Sequence, residues 1–142
     1  MANGLTLAEA RRLIDAALAW AEREGKAMAV AVVDAGGHPV AMARLDTASI
    51  LAAEAVVQKA RAAAWLGRPT AAAVETGRQW PHVYLSFTVA AQGQITLSKG
   101  GFPILRDGQL VGAIGAAGGT GAEDEACARA GLRALGFDTW EG

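Results

Sequence analysis

Apolar positions along this chain recur with two different periods, and the change from one to the other lays out the elements. Apolar residues stand at Ala10, Leu13, Ile14, Ala17, Leu18 and Ala21, the spacing of one helical face. Thr6-Leu7-Ala8-Glu9 ahead of them sets a hydroxyl three residues before a carboxylate, which is a capping box, and Gly25 is a natural stop. Residues 27–33 are apolar and strand-like, Asp34-Ala35-Gly36-Gly37 reads as a turn, and 38–44 reads as a second strand, so the pair forms a hairpin. Thr47 or Ser49 caps a long helix to about Leu66; Gly67-Arg68-Pro69 breaks it, and Thr70 caps a shorter one to about Thr76. Residues 77–91 carry no decisive pattern, because Val83, Tyr84, Phe87 and Thr88 suit a helix or a strand. Residues 95–97 and 102–105 read as strand on either side of a glycine pair. Asp107-Gly108 is a tight-turn signal, and 109–117 is uniform enough to be a central, buried strand. After the Gly118-Gly119-Thr120-Gly121 loop, 122–135 reads as a closing helix stopped by Gly136. Two hairpin-joined strand groups flanked by helices predict a single α+β domain over 1–142 with a mostly antiparallel sheet.

Bulk composition narrows the function classes. With 52% apolar and 19% charged residues the chain is globular. A net charge of -1 gives no footprint for nucleic acid or an anionic membrane. The single cysteine, Cys127, excludes an intramolecular disulfide framework and a cysteine-rich zinc site. No run has the length of a membrane span, and the opening residues lack a basic region followed by an apolar run, so the expectation is a cytoplasmic protein. Alanine is abundant and each buries little area, which favours burying more surface in a homo-oligomer.

The irregular segment Lys99-Gly100-Gly101-Phe102-Pro103-Ile104 is the main candidate for a site wall. Glycine inside a strand marks a bulge or a close approach, and proline confines a strand to an edge or a bulge. Lys99 beside the Gly100-Gly101 amides can hold a carboxylate or enolate oxygen, or can be a solvated lysine guarding an edge. His38, just after the hairpin turn, is either a surface turn residue or a proton shuttle. His82 and Tyr84 lie in a segment with Trp80, where imidazole, phenol and indole can line a pocket or simply pack together. Arg44 and Asp46 end the second strand; they suit a site at a strand end, or a pair in which Asp46 caps the next helix. The acids Glu123, Asp124 and Glu125 occupy a first helical turn and repel phosphate, which argues against reading the preceding glycines as a nucleotide cradle.

Asp34-Ala35-Gly36-Gly37-His38, Arg44-Leu45-Asp46, Lys59-Ala60-Arg61-Ala62-Ala63, Gly67-Arg68-Pro69-Thr70, Gly100-Gly101-Phe102-Pro103-Ile104, Gly112-Ala113-Ile114-Gly115 and Asp124-Glu125-Ala126-Cys127-Ala128 stand in an order that resembles the haem-binding HbpS/GlcG-like family. That family also supplies the C-terminal domain of some corrinoid adenosyltransferase proteins. The resemblance runs from about Leu5 to Gly136. It implies a profilin-like fold with a five-stranded antiparallel sheet, homo-oligomers from dimers to octamers, and a haem or related tetrapyrrole ligand in some members. It also places a lysine at Lys59 and an acid at Asp124. The chain departs from the family pattern at 78–88 and at Lys99, where polar and aromatic groups are added beside the glycine pair.

Two readings of function follow. In the first, a pocket beside the Gly100-Gly101-Phe102-Pro103 strand holds haem, a corrinoid or another carboxylate-bearing small molecule, with Lys59, Arg44, Lys99, Asp46 or Asp124 meeting its polar groups and His38 or His82 its metal. In the second, a small cofactor-independent enzyme moves a proton next to a carbonyl. Lys59 or His82 is then the base, Tyr84 a donor, and the glycine amides with Lys99 stabilise the oxyanion. Lys59 sits on an alanine- and valine-rich helical face, where an ammonium is either lowered in pKa or lies with its head in water or against Glu54 or Asp46.

Overall fold

The computed structural model describes residues 4–141. Helix α1 (Leu7–Arg23) starts at the expected capping box: the Thr6 side chain accepts from Glu9 N, and the Glu9 side chain accepts from Thr6 N. Strands β1 (Ala29–Asp34) and β2 (Pro39–Arg44) form the hairpin, and α2 (Ile50–Leu66) follows. Ser49, and not Asp46, caps α2, accepting from Ala52 N at 3.1 Å. The undecided stretch is helical: α3 (Ala71–Gln79) and α4 (Pro81–Ala90) meet at Trp80, and Pro81 occupies the first turn of α4, where its missing N–H costs nothing. Strands β3 (Gly101–Arg106) and β4 (Gln109–Ala117) and helix α5 (Gly121–Ala134) complete the described elements.

The sheet has four strands in the order β2-β1-β4-β3, with each neighbouring pair antiparallel. This corrects the expectation of five. Residues 95–97 form no strand: they bury Ile95 and Leu97, but Thr96 N donates to Gln58 O of α2 and does not join a ladder. Their apolar pattern reports burial under a helix. Proline in β3 behaves as expected, because β3 is an edge strand. That edge is covered: Trp140 Nε1 donates to Pro103 O at 2.8 Å, and the Arg129 guanidinium lies 4.8 Å over the Phe102 ring.

Strand alternation separates two cores. Val30 and Val32 of β1, with Ile114 and Ala116 of β4, face α1 and α5 and pack with Leu13, Phe102, Ile104 and Leu132. Full burial of each such large side chain stabilises the fold by about 1.5–3 kcal/mol. On the other face Ala29, Ala31, Val33, Ala113 and Ala117 meet Ala52, Val56, Ala60, Ala63 and Ala64 of α2. Small residues on both sides bring α2 very close to the sheet. A Cβ on Gly115 would lie 2.7 Å from Val56 O and 2.8 Å from Ala60 N, so only glycine fits there.

Candidate functional site

Helix α2 crosses one face of the sheet, and its side chains reach two ends of it. At the end where β4 finishes, Lys59 and Asp124 form a buried ion pair, 3% and 6% exposed. Lys59 Nζ donates to Asp124 Oδ2 at 3.0 Å and to Ala116 O at 2.8 Å, while Asp124 Oδ1 accepts from Gly119 N at 2.9 Å. Burial pushes the Asp124 carboxyl above its ordinary range, and the Lys59 ammonium pulls the other way. The expected partners of Lys59, Glu54 or Asp46, are not the ones it takes.

The glycine pair lies against this ion pair. Gly100 has φ +116, and a Cβ there would meet Asp124 Cβ at 2.7 Å and Ala116 O at 2.8 Å. A Cβ on Gly101 would lie 2.6 Å from Lys59 O. Thr70 does not cap α3 with its side chain. Its Oγ1 accepts from Gly101 N at 3.0 Å, and its own N–H donates to Gly101 O at 3.0 Å. The structure therefore brings Lys59, Gly100, Gly101 and Asp124 together as the sequence suggests, but it fills the space between them with protein. A ligand carboxylate there would have to displace Asp124 or Ala116 O. Lys99 is half-buried and lays its stem over Gly121 at the start of α5.

The other candidates lie apart. Arg44 and Asp46 are exposed where the outer strand β2 ends, and Asp46 lines a shallow cleft of about 470 Å³ with Lys26 and Thr47. Lys26 pairs with Glu123 at 2.5 Å, which draws the Glu123 carboxyl down to about 2. On α4, His82 is exposed and its ring stands edge-on to Trp80, 6.3 Å between centroids. Tyr84 donates its hydroxyl to Leu97 O, its ring covers Gly77, and burial raises its pKa. Among the described residues, no hydrogen bond, ion pair or ring contact joins any two of Lys59, His82 and Tyr84. The proton-transfer reading thus loses its base and its donor as a working group. Cys127 is buried in the core, and burial raises its thiol to about 12, so it is no nucleophile.

At the opposite end of the sheet the β1–β2 turn borders an open cleft of about 640 Å³. Leu5, Ala35, Val40, Leu110 and Val111 give it apolar walls, and His38 lies among its lining residues. Asp34 builds the turn: its Oδ1 accepts from Gly36 N at 3.0 Å and from His38 N at 2.9 Å, and its own N–H donates to His38 O at 2.8 Å. The His38 ring lies over Gly36, where a Cβ would come within 3.2 Å of Cδ2. Sequence reasoning assigns no role to Arg61 or Trp65, and reads Asp34 only as part of a turn and Thr70 only as a helix cap. The Asp-x-Gly spacing is the local signal that marks Asp34; the partners of the other three are backbone groups distant in sequence.

The chain matches the family described as haem degrading protein HbpS-like over residues 5–133. It is 32% identical over 95 residues to Protein GlcG of Escherichia coli strain K12, 67% of either chain. Its structure is similar to that of a double mutant of Streptomyces reticuli HbpS, with TM-score 0.82 and 32% identity over 95% of this chain and 89% of that one. It also shares its fold with the PduOC:heme complex, at TM-score 0.88 and 24% identity over 97% of this chain and 99% of that one. A match over nearly the whole length, with relatives of this identity, shows that this chain belongs to the HbpS-like family.

Proposed function

We propose that this protein binds haem, or a flat carboxylate-bearing ligand like it, in the cleft at the β1–β2 turn. The observation that carries the reading is His38 beside an apolar-walled cleft of about 640 Å³ with its backbone anchored on both sides by Asp34. The residues suit the group: an exposed imidazole is a haem-iron ligand, apolar walls suit a macrocycle, and the open mouth leaves carboxylates in water. When bound, haem supplies redox and gas-ligand chemistry at its iron. The chain's own part would be to offer the His38 imidazole and the apolar side chains that line the cleft. The likeness to HbpS and to the PduOC:heme complex supports this reading.

The test is titration with haemin at micromolar concentration, followed at the Soret band. His38→Ala is expected to weaken binding by at least tenfold, which is about 1.4 kcal/mol, and to shift the band. His82→Ala should leave both unchanged. No spectral change in the natural protein, or an unaltered His38→Ala spectrum, would overturn the reading.

We further infer that α4 faces a second copy of the chain. Its ten residues carry no formal charge and none is buried, and Leu85 and Val89 are 63% and 70% exposed four residues apart on one side of the helix. Leu85→Glu with Val89→Glu is expected to shift the sedimenting species to the monomer while leaving the helical circular dichroism intact. A natural protein that sediments as a monomer at high concentration would refute this.

A further inference from the structure

The β1–β2 turn is held from α2 as well as from within. Arg61 and Trp65 stand one helical turn apart, and so share a face. Trp65 Nε1 donates to Gly36 O at 2.8 Å, and Arg61 Nε donates to Gly37 O at 2.9 Å. These are the two carbonyls that immediately precede His38. The fit is close: Gly37 has φ +88, and a Cβ there would lie 2.7 Å from Trp65 Nε1 and 2.8 Å from Arg61 Cγ. Arg61 Nη1 also donates to Gln94 O at 2.9 Å, so the guanidinium is fixed at its far side by the loop after α4. A planar fork held at both ends is a rigid mount in a way that an ammonium is not.

The His38 ring depends on that mount through Gly36. The ring lies on Gly36, within 3.4 Å of the position of a Cβ at its Nε2, and Trp65 holds the carbonyl of that same glycine. Asp34 fixes the His38 backbone by the N–H and the carbonyl. Without Arg61 and Trp65, the Gly36-Gly37 pair would be held only through its two amides, which donate to Asp34, and would move more freely, because glycine restricts the backbone least. A ligand would then have to order the turn as it binds, which lowers affinity.

We propose that Arg61 and Trp65 are positioning residues, which hold the β1–β2 turn so that the His38 imidazole is presented to the cleft before a ligand arrives. The inference rests on the reading of that cleft as the haem site, and it concerns residues that need not touch the ligand.

Trp65→Phe removes the indole N–H and keeps an aromatic ring, and Arg61→Met removes both bonds of the guanidinium. In the haem-free protein, each variant is expected to speed hydrogen exchange of the His38 amide by about fivefold, the effect of losing roughly one hydrogen bond's worth of local stability. The amides of Val32 and Ile114, within the central strands, should exchange at the natural rate. Each variant should also weaken haemin binding by about threefold to tenfold while reaching the natural Soret maximum at saturation, because the ligating imidazole is still present. Unchanged exchange at His38 in both variants overturns the proposal whatever haemin does. Faster exchange with natural haemin affinity, in a protein whose His38→Ala form has lost binding, also overturns it and leaves the cleft reading standing. If His38→Ala binds haemin like the natural protein, the cleft reading fails, and with it the role assigned to the mount.

Discussion

Lys59→Met lowers the stability of this fold by about 3–5 kcal/mol near neutral pH, the loss that follows when one partner of a buried ion pair is removed. Methionine replaces most of the lysine stem, so the packing beside Gly100 survives and the cavity term stays small. The lost groups are polar. Ala116 O and Asp124 Oδ2 lose their ammonium donor, and Asp124 keeps Gly119 N. Burial already holds the Asp124 carboxyl above its ordinary 3.8, and with the cation gone only the Gly119 N–H still opposes that effect. A carboxyl whose folded pKa exceeds its unfolded value contributes stability that is full below the unfolded value and is lost as pH rises through the folded one. The deficit of Lys59→Met should therefore be smallest in acid below 3.8 and grow towards neutrality. Urea-unfolding midpoints of both proteins across that range measure it. A deficit that does not change with pH would contradict the assignment. The double variant Lys59→Met, Asp124→Leu should recover part of the loss, because an apolar pair leaves no buried charge unpaired.

The ion pair shows where sequence reasoning stops. A lysine on an alanine-rich helical face invites a search for its partner, and the family resemblance marks Asp124, but the two lie 65 residues apart and only the packing of α2 and α5 about the end of β4 joins them. Elements with a local signature are legible. The Thr6-Glu9 capping box and the period of α1 are such signatures, and so is the Asp34-to-Gly37 turn of the hairpin. Helix α4 has none: none of its residues is fully buried, so it carries no stripe, and its Val, Tyr, Phe and Thr residues suit a strand equally. Only Pro81 in the first turn points to a helix start there. Residues 95–97 mislead for a related reason, since burial against a helix leaves the same mark on a short run as burial in a sheet. The mount under His38 leaves no mark at all, because Arg61 and Trp65 bind backbone carbonyls 24 and 29 residues away whose side chains are absent.

Gly101→Val is expected to destabilise the protein by about 3 kcal/mol, the upper part of the usual cost of overpacking. The first added carbon alone would sit 2.6 Å from Lys59 O and 2.8 Å from Thr70 Cγ2, closer than any real contact of that kind. Lys59 O belongs to the backbone of α2 and cannot rotate away. Moving β3 outward would break the bonds between Thr70 and both backbone groups of Gly101, so strain has no cheap outlet. Gly115→Val should behave alike, since its added carbon would meet Val56 O at 2.7 Å. The measurement also decides what the glycine pair is for. If it allows α2 to approach the sheet, Gly101→Val lowers the unfolding midpoint, and whatever remains folded binds haemin with natural affinity through the distant His38 cleft. If the pair lines a ligand pocket, the variant keeps its stability and loses haemin. The filled space around Gly100 and Gly101 predicts the first outcome.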